Sequence, residues 1–444
     1  MLDQTFSLKN FQEIYDTENR KGHDLEKEFV EFADLYNKTR QIKRATGLAK
    51  KAQTSTRKKN IFSMIKKYKK QKEEMLDAHL LDIEKEIQSG KFKVLLKQGP
   101  DVRGKTTYIF DKSPTNFFAS KQTQKNLRKV FRIKISSRDN ILAQLKCVLF
   151  DNLPKIVIKT DIKDFYETVQ QAQMLNIIES NVLLDLVSKH YVREVLSQYN
   201  KIKHVDSVGL PRGVGVSAYL SEIYMQKLDA KIKCMQGLVY FARYVDDIVM
   251  VFSLTDSISL ESIMQSFDNI CKELSLNRNE IKTKTIKVEN NTKDSFDFLG
   301  YKINIIKNKT PLVQIDFTDK KIEKLKHRIA KAFNIFVTTK NKRSAAHILY
   351  QRINFLTSNT RLLNSKNNAM VGVYFSNRFL TVENSLNLLD EYVASFYNVI
   401  HDDNLLSKIK ELSFVRGWND RIYHKYSTKK LKQITKIWRY DENC

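Results

Sequence analysis

The segment Phe241–Phe252 reads FARYVDDIVMVF, and this pattern decides the fold. Two adjacent acids, Asp246 and Asp247, lie between two apolar runs that have the composition of β-strands. Aspartate is common in tight turns, so an ordinary hairpin is one interpretation. However, neighbouring carboxylates are costly to bury without a counter-charge, which a divalent metal ion would supply. The segment therefore predicts a strand, a tight turn and a strand, with metal-binding acids at the turn.

A third acid, Asp161, follows an apolar run in the segment IVIKTDI, residues 156–162. Packed strands can bring this acid beside the turn that carries Asp246 and Asp247. Mg²⁺ prefers carboxylate, water and phosphate oxygens as ligands. Two such ions can hold the attacking and leaving oxygens of an in-line phosphoryl transfer. The three aspartates therefore predict nucleotidyl transfer with two Mg²⁺ ions, and Mn²⁺ is the alternative metal.

A glycine-rich segment, GLPRGVGVSAYLSEIYM at residues 209–225, lies between these acids. Clustered glycines in a glycine-poor chain indicate close backbone approach or unusual dihedral angles. The apolar pattern that follows them indicates a helix. One interpretation is support for a template base or an incoming nucleotide, and the other is a structural loop.

Composition predicts a folded, helix-rich protein with a polyanionic partner. Of the 444 residues 42% are hydrophobic, and Gly and Pro number only 12 and 5. The formal net charge of +27 favours nucleic acid as the partner over an anionic membrane surface or a merely solubilising role. Neither a membrane-length apolar run nor a secretion signal is recognisable, so we expect a cytosolic protein without membrane attachment. Cys147, Cys234 and Cys271 are expected to be reduced and buried.

Residues 36–72 form a strongly basic segment with fourteen Lys and Arg residues and no acid. Such a segment repels itself unless phosphates neutralise it. We interpret it as an RNA-binding arm, and a solvated or disordered linker is the alternative. An apolar side that includes Ile61 and Ile65 indicates a helix. The basic residues selected as RNA-binding candidates are Lys58, Lys59, Lys66 and Lys67.

Three regions follow from the pattern along the chain. Residues 1–90 form a basic helical extension, residues 91–315 mix strands and helices, and residues 316–444 are mainly helical and basic. Within the middle region we predict strands in KFKVLL and TTYIF, an amphipathic helix over Ser257–Leu276, and a strand or tight hairpin over Phe296–Ile306.

Five segments together resemble motifs A to E of the reverse transcriptases. They are KTDIKDFYETV (159–169), GLPRGVGVS (209–217), YVDD (244–247), LSLNRNEIKTK (274–284) and FDFLGYKI (296–303). The resemblance covers roughly residues 125–310 and implies an α+β right-hand polymerase fold. Residues 91–315 would form the fingers and a palm with a ferredoxin-like sheet, and residues 316–444 the helical thumb. The implied activity is RNA-directed DNA synthesis from dNTPs, with an RNA template and a DNA product.

The resemblance also implies roles for single residues. The metal ligands would be Asp161, Asp246 and Asp247, with the backbone of Ile162 as a further ligand. Lys282 would protonate the leaving pyrophosphate, with Lys284 as a second candidate and a surface lysine as the plain interpretation of either. Tyr166 would disfavour a 2′-hydroxyl. The implied nucleotide-binding residues are Arg132, Lys134, Ile162, Phe165, Tyr166, Arg212 and Gly213, and the implied primer grip is Phe298, Leu299 and Gly300.

Several of these residues have plainer interpretations. Tyr166, Phe298 and Leu299 are equally typical of core packing. The basic residues Arg132, Lys134 and Arg138 could form a stripe that follows an RNA backbone. The family commonly has Gln where this chain has Arg212, a forked cation in place of a neutral amide. We therefore expect template handling or nucleotide selection to differ here.

Three strings resemble the bacterial abortive-infection and defence-associated reverse transcriptases, including the type-3 paired systems. They are GLPRGVGVSAYLSEIYM, ENRKG (18–22) and NAMVGVYFSN (368–377). This resemblance implies antiphage defence in a bacterial cytoplasm, a noncoding RNA template, and an oligomer with a second reverse-transcriptase subunit. The alternatives are a retron- or group II intron-derived enzyme, a template-independent terminal transferase, and a catalytically idle RNA-binding scaffold.

Overall fold

The computed structural model describes residues 3–90, 92–102, 104–134, 137–204, 207–254, 259–307, 311–339, 342–363 and 368–438. Contacts divide the chain into two compact units. The first comprises residues 1–134 and 166–225, and the second comprises residues 135–165 and 226–444. No helix in the described ranges is both long enough and apolar enough to cross a membrane.

Helices and strands are mixed along the chain, as the predicted α+β class requires. The helices are α1 (Leu8–Lys21), α2 (Leu25–Glu28), α3 (Ala33–Lys51), α4 (Ser55–Gln88), α5 (Pro114–Val130), α6 (Arg138–Phe150), α7 (Phe165–Thr168), α8 (Gln171–Ser180), α9 (Leu186–Lys203), α10 (Gly215–Lys233), α11 (Leu260–Glu273), α12 (Asp319–Thr338), α13 (Lys342–Thr357), α14 (Asn384–Ala394), α15 (Asp403–Lys410), α16 (Phe414–Asn419) and α17 (Thr428–Thr435). The strands are β1 (Leu96–Gln98), β2 (Tyr108–Phe110), β3 (Lys155–Asp161), β4 (Leu238–Tyr244), β5 (Asp247–Ser253), β6 (Lys284–Val288), β7 (Thr292–Phe298), β8 (Tyr301–Lys307), β9 (Pro311–Phe317), β10 (Asn359–Arg361) and β11 (Met370–Gly372).

In the first unit, α3 and α4 pack together as a helical hairpin. Ala45 and Ala49 of α3 meet Ile65 of α4 in a small apolar cluster, which Ile61 joins. The predicted apolar side of this segment is therefore confirmed. The disordered-linker interpretation is wrong, because residues 36–72 are helical on both sides of residues 52–54. The four candidate lysines of α4 are exposed.

The second unit is built on an antiparallel sheet with the strand order β4-β5-β3-β6. Residues 248–252 of β5 are fully buried, since the sheet packs against helices that include α6. The apolar residues are consecutive, 156–158 in β3 and 248–252 in β5, so both faces of these strands are buried and hold the strand pairing in its register. The strands predicted from IVIKTDI and FARYVDDIVMVF are confirmed as β3 and as the pair β4–β5.

A second sheet, β7-β8-β9, follows in the same unit. The β7–β8 connection is a two-residue turn between paired Phe298 and Tyr301, in which Leu299 and Gly300 have φ of +49° and +78°. Such a turn needs two left-handed residues, and glycine adopts that conformation at low cost. The hairpin predicted over Phe296–Ile306 is confirmed.

The structure also tests the predicted burial of the cysteines and the amphipathic helix predicted over 257–276. The expected burial of three cysteines is right only for Cys271, because Cys147 and Cys234 are exposed. Cys271 lies on the apolar side of α11, which is the amphipathic helix predicted over 257–276. Residues 257 and 258 of that prediction, and Cys444, lie outside the described residues.

Candidate active site

The antiparallel pairing of β3 with β5 places Asp161 directly opposite Asp247. Asp161 is the last residue of β3 and Asp247 the first residue of β5, so both acids lie at the same end of the sheet. Because the buried residues of both strands fix this register, the two carboxylates are held by the core rather than by a mobile loop. The structure thus brings together the acids that the sequence separates.

Asp246 lies in a strained two-residue turn between β4 and β5. Tyr244 pairs with Asp247, and the intervening Val245 has a φ of +60°. A β-branched residue rarely adopts this left-handed conformation, and such strain persists only where the surroundings hold it.

Arg243 supplies part of that support. Its Nη1 donates to the Val245 carbonyl at 2.8 Å, while Nε and Nη2 each donate at 2.8 Å to a different carboxylate oxygen of Asp229 on α10. Sequence reasoning missed Arg243 and Asp229. The signal for them was a charged residue within an otherwise apolar strand.

The three acids are only partly neutralised by the protein. Asp161 is buried, and its Oδ2 accepts a hydrogen bond of 2.8 Å from Lys282 Nζ. Its Oδ1 is shielded from solvent and has no partner among the described residues. Asp247 lies 3.2 Å from Lys159 Nζ. Burial raises the pKa of Asp246, and the negative charges of Asp247 and Asp161 add to that shift.

The donor chemistry of this site fits a hard divalent cation. Asp161 and Asp247 pair at one end of the sheet, Asp246 lies in the adjoining turn, and the buried Oδ1 of Asp161 has no donor among the described residues. Oxygen donors of this kind suit Mg²⁺. In the described ranges, however, no three Asp, Glu, His or Cys side chains are grouped closely enough to hold an ion, and the cation on Asp161 is Lys282.

The loop that carries Lys282 is attached to the end of β3. The Asn279 amide donates to the Asp161 carbonyl at 2.9 Å, and the Lys163 amide donates to the Asn277 carbonyl at 2.8 Å. The hydrogen bond to Asp161 raises the pKa of Lys282. The second candidate, Lys284, instead pairs with Asp294 at 2.8 Å. Of the two lysines, only Lys282 contacts an acid of the predicted site.

In the first unit, Arg212 contacts Tyr166 and its neighbour Glu167. The guanidinium carbon lies 4.9 Å from the centre of the Tyr166 ring, and Nη2 donates to Glu167 Oε1 at 3.0 Å. Arg212 Nε is shielded from solvent and lacks a partner within the described ranges. The residue that departs from the family pattern is therefore held against the residue predicted to select the sugar.

Gly213 has a structural explanation that needs no nucleotide. Its φ is +92°, and a Cβ at this position would lie 2.9 Å from the Tyr108 carbonyl oxygen. The Tyr108 amide donates to the Arg212 carbonyl at 2.7 Å. Close backbone approach, as the glycine cluster predicted, is therefore confirmed here, and the contact is with β2.

The remaining candidates occupy varied positions. Arg132 and Lys134 are exposed beyond the end of α5. Ile162, Phe165 and Phe298 are buried, and the Ile162 amide donates to the Asp246 carbonyl at 3.3 Å.

Comparison with known proteins identifies the central part of the chain. Residues 115–303 match the family model described as reverse transcriptase (RNA-dependent DNA polymerase). No curated protein matches the chain. Among solved structures, telomerase from Candida albicans in complex with a TWJ fragment of telomeric RNA is 13% identical, over 72% of this chain and 56% of that chain, with a TM-score of 0.33. Apo telomerase from Candida tropicalis is 14% identical, over 78% of this chain and 64% of that chain, with a TM-score of 0.38.

The chain thus spans less than two thirds of these telomerase chains. The family match contains β3, the β4–β5 turn and all five motif-like segments from 159 to 303. The predicted right-hand polymerase fold is confirmed by that match. The chain therefore contains a reverse transcriptase domain, an RNA-directed DNA polymerase domain of the nucleotidyltransferase class.

Proposed function

We propose that this chain is an active RNA-directed DNA polymerase that copies a bound noncoding RNA in bacterial antiphage defence. The observation that carries the polymerase activity is the direct pairing of Asp161 with Asp247, beside the strained turn of Asp246, within a reverse transcriptase domain. The buried Oδ1 of Asp161, which has no donor in the described part of the chain, supports a bound cation at this position.

In this proposal Asp161, Asp246 and Asp247 hold two Mg²⁺ ions, with the Ile162 backbone as a further ligand. When bound, the ions supply activation of the primer hydroxyl and neutralisation of the leaving group. The protein's own contribution is to keep the three carboxylates at one end of the sheet. Arg243 contributes by holding the carbonyl that precedes Asp246.

Lys282 is proposed as the general acid that gives a proton to the leaving pyrophosphate oxygen. A general acid must lie at the reacting groups and hold its proton at the working pH. Lys282 satisfies the first requirement through its contact with Asp161, and the raised pKa satisfies the second.

Tyr166 is proposed to select deoxynucleotides by excluding the 2′-hydroxyl. Arg212 supports this role because its guanidinium lies on the Tyr166 ring and is anchored to Glu167. We assign Arg132 and Lys134 to the triphosphate, Phe165 and Gly213 to the nucleotide pocket, and Phe298, Leu299 and Gly300 to the primer grip. We also propose that residues 91–315 form the fingers and palm and that residues 316–444 form the thumb.

The helical hairpin of α3 and α4 is proposed to bind the template RNA. Its lysines Lys58, Lys59, Lys66 and Lys67 are exposed on α4, and the chain carries a net charge of +27. Exposed lysines on a helical surface attract phosphates, and the release of counterions from the nucleic acid favours binding and makes it salt-dependent.

The defence role rests on the motif resemblance alone. ENRKG, NAMVGVYFSN and the segment from Gly209 to Met225 support a bacterial cytoplasmic enzyme that works as an oligomer, with a second reverse-transcriptase subunit. Phage plating on cells with the wild-type chain, or with the double substitution Asp246→Asn and Asp247→Asn, tests it. Protection by the wild type alone supports the role, and equal plating on both strains contradicts it.

The polymerase activity is tested by purifying the protein with its copurified RNA and adding Mg²⁺ and labelled dNTPs. We expect DNA complementary to that RNA from the wild type and none from the double variant. DNA unrelated to the RNA would instead indicate terminal-transferase activity. That second function is favoured by one observation, since Arg212 replaces a neutral amide and its buried Nε has no acceptor among the residues that the structure describes.

A further inference from the structure

Two cationic side chains of the second unit share one aromatic ring. The guanidinium carbon of Arg138, in the first turn of α6, lies 4.9 Å from the centre of the Tyr301 ring. The ammonium of Lys321, in the first turn of α12, lies 4.8 Å from the same centre and 4.2 Å from the centre of the Phe317 ring. Cations are attracted to aromatic faces, but two cations on one ring repel each other.

Neither cation has an anionic partner among the described residues. Arg138 Nε and Nη2 are shielded from solvent and lack any acceptor there. Lys321 Nζ donates to the neutral amide oxygen of Asn377. The nearby acid Asp139 is already paired with Arg378, at 2.9 Å. Burial lowers the pKa of Lys321 to about 7, and the charge of Arg138 adds to that shift. The pair therefore lacks a counter-charge.

A ligand can approach this pair from the side of Lys321, which lines a cavity, whereas Arg138 Nε and Nη2 are shielded from solvent. Arg138 and Lys321 are both partly exposed residues. Lys321 also lines a cavity of about 290 Å³, together with Lys324, Ser376 and Asn377. The other walls are mostly apolar and include Phe317, Leu325 and Phe355, so the cations and hydrogen-bonding groups lie in an otherwise apolar cavity.

The turn between β7 and β8 lies beside the guanidinium. A Cβ on Gly300 would lie 3.6 Å from Arg138 Nη2, an ordinary van der Waals distance. A guanidinium has forked donors that match the oxygens of a phosphate, and an ammonium adds a point charge.

We propose that Arg138 and Lys321 form a phosphate-binding site that receives a backbone phosphate of the bound nucleic acid. This inference rests on the proposed polymerase function, because it assigns the phosphate to the duplex that the enzyme holds. Asn377, from the NAMVGVYFSN segment, positions the Lys321 ammonium. Its own amide nitrogen is fixed by a 2.8 Å hydrogen bond to the Val373 carbonyl.

If the site binds phosphate, replacing Arg138 or Lys321 should weaken the affinity for nucleic acid without lowering the stability of the protein. If Arg138 and Lys321 only stabilised the fold, replacing either residue would lower the stability of the protein. If the two residues instead bind an anion, two cations without an anion lower the stability of the free protein. Replacing one of them then leaves the melting temperature unchanged or raises it. The site role is therefore distinguishable from a packing role.

The test compares Arg138→Gln and Lys321→Met with the wild type. Arg378→Gln is the matched control, because Arg378 already has its anion. Fluorescence anisotropy with an RNA–DNA primer–template should show affinity weakened about tenfold by each test variant, the loss of one charge-assisted hydrogen bond. The control should stay within about twofold, as expected for an exposed ion pair. Unchanged affinity of both test variants, in a preparation whose wild type extends primers, would overturn the proposal.

A thermal melt with inorganic phosphate, at constant ionic strength, provides an independent measurement that needs no polymerase activity. Phosphate should raise the melting temperature of the wild type and of Arg378→Gln, but not that of Lys321→Met. An equal shift in wild type and Lys321→Met overturns the site even if Arg138→Gln fails to fold. If phosphate protection depends on both residues but duplex affinity does not, the site binds a free phosphate compound and the backbone assignment is wrong. A wild type that neither binds nor extends primers contradicts the proposed function, whereas the melt still tests the site.

Discussion

Asp161 and Asp247 face each other across β3 and β5, as the last residue of one strand and the first of the other. A slip of one residue in this register would turn one of the two side chains to the opposite face of the sheet. The site therefore depends on the buried strand residues as much as on the acids. Neutralising the acids should accordingly leave the fold intact.

Asp246→Asn is expected to stabilise the metal-free protein at neutral pH. Burial raises the pKa of Asp246 in the folded state, so the folded protein holds this proton more tightly than the unfolded chain. Ionisation of Asp246 therefore lowers the stability of the folded protein at pH values above the ordinary aspartate pKa of about 4. This loss of stability disappears as the pH falls toward that value. In EDTA at pH 7 the melting temperature should rise by about 2 °C, and the gain should shrink at pH 5. The exposed Asp82→Asn serves as control, and a gain that is equal at both pH values contradicts the expected origin.

Lys282→Met is expected to slow nucleotide incorporation much more than Lys284→Met. Lys282 contacts Asp161, whereas Lys284 pairs with Asp294. Loss of a general acid typically lowers a rate by roughly 10²-fold or more, and loss of an exposed ion pair should change it by less than about threefold. Single-turnover primer extension at saturating dNTP measures both. Equal rates for the two variants would remove the assignment of Lys282.

Tyr166→Ala is expected to increase ribonucleotide use relative to deoxynucleotide use by at least about tenfold, because the side chain that would exclude the 2′-hydroxyl is shortened. Tyr166→Phe keeps the ring and should behave as the wild type. Competitive single-nucleotide incorporation gives the ratio. If Tyr166→Ala discriminates as strongly as Tyr166→Phe, the residue only packs the core.

Arg212→Gln restores the amide that the family commonly has and removes the cation from the Tyr166 ring. We expect a smaller loss of sugar discrimination than in Tyr166→Ala, since the ring stays but its anchor to Glu167 is lost. Glu167→Gln should give a similar loss, because it weakens the same pair from the other side. An effect of Arg212→Gln that Glu167→Gln does not share would show that Arg212 acts on the nucleotide or template directly.

Replacing Lys58, Lys59, Lys66 and Lys67 with Gln is expected to weaken RNA binding and flatten its salt dependence. If each lysine neutralises one phosphate of single-stranded RNA, the slope of log affinity against log salt falls by about 0.7 per lysine. The matched control is four exposed lysines of the C-terminal helices and their flanks, Lys408, Lys410, Lys429 and Lys432. An unchanged slope would show that the RNA does not contact these four lysines of α4.

The strands, the turn and the pairing of the acids could be predicted from sequence because apolar periodicity and the DD turn are local signals. Arg243 gave a signal only as a charged residue in an otherwise apolar strand, and its contact with Asp229 on α10 could not be predicted because the two residues have no recognised spacing. The sequence offered both Lys282 and Lys284 as candidates, and only the structure of the loop shows that the two lysines have different partners. The sequence indicated Arg138 only as part of a basic stripe and gave no signal for its pairing with Lys321, since that pairing depends on two helix starts meeting one ring of a hairpin.

The central claim is that Asp161, Asp246 and Asp247 make this domain a working RNA-directed DNA polymerase. Its most direct test is primer extension on a defined RNA template with a DNA primer, Mg²⁺ and dNTPs, using the wild type and the variant with Asp246→Asn and Asp247→Asn. Both proteins should fold and bind the primer–template, and only the wild type should synthesise DNA complementary to the template. Equal synthesis by the double variant, or no synthesis by a wild type that binds the primer–template, would contradict the claim.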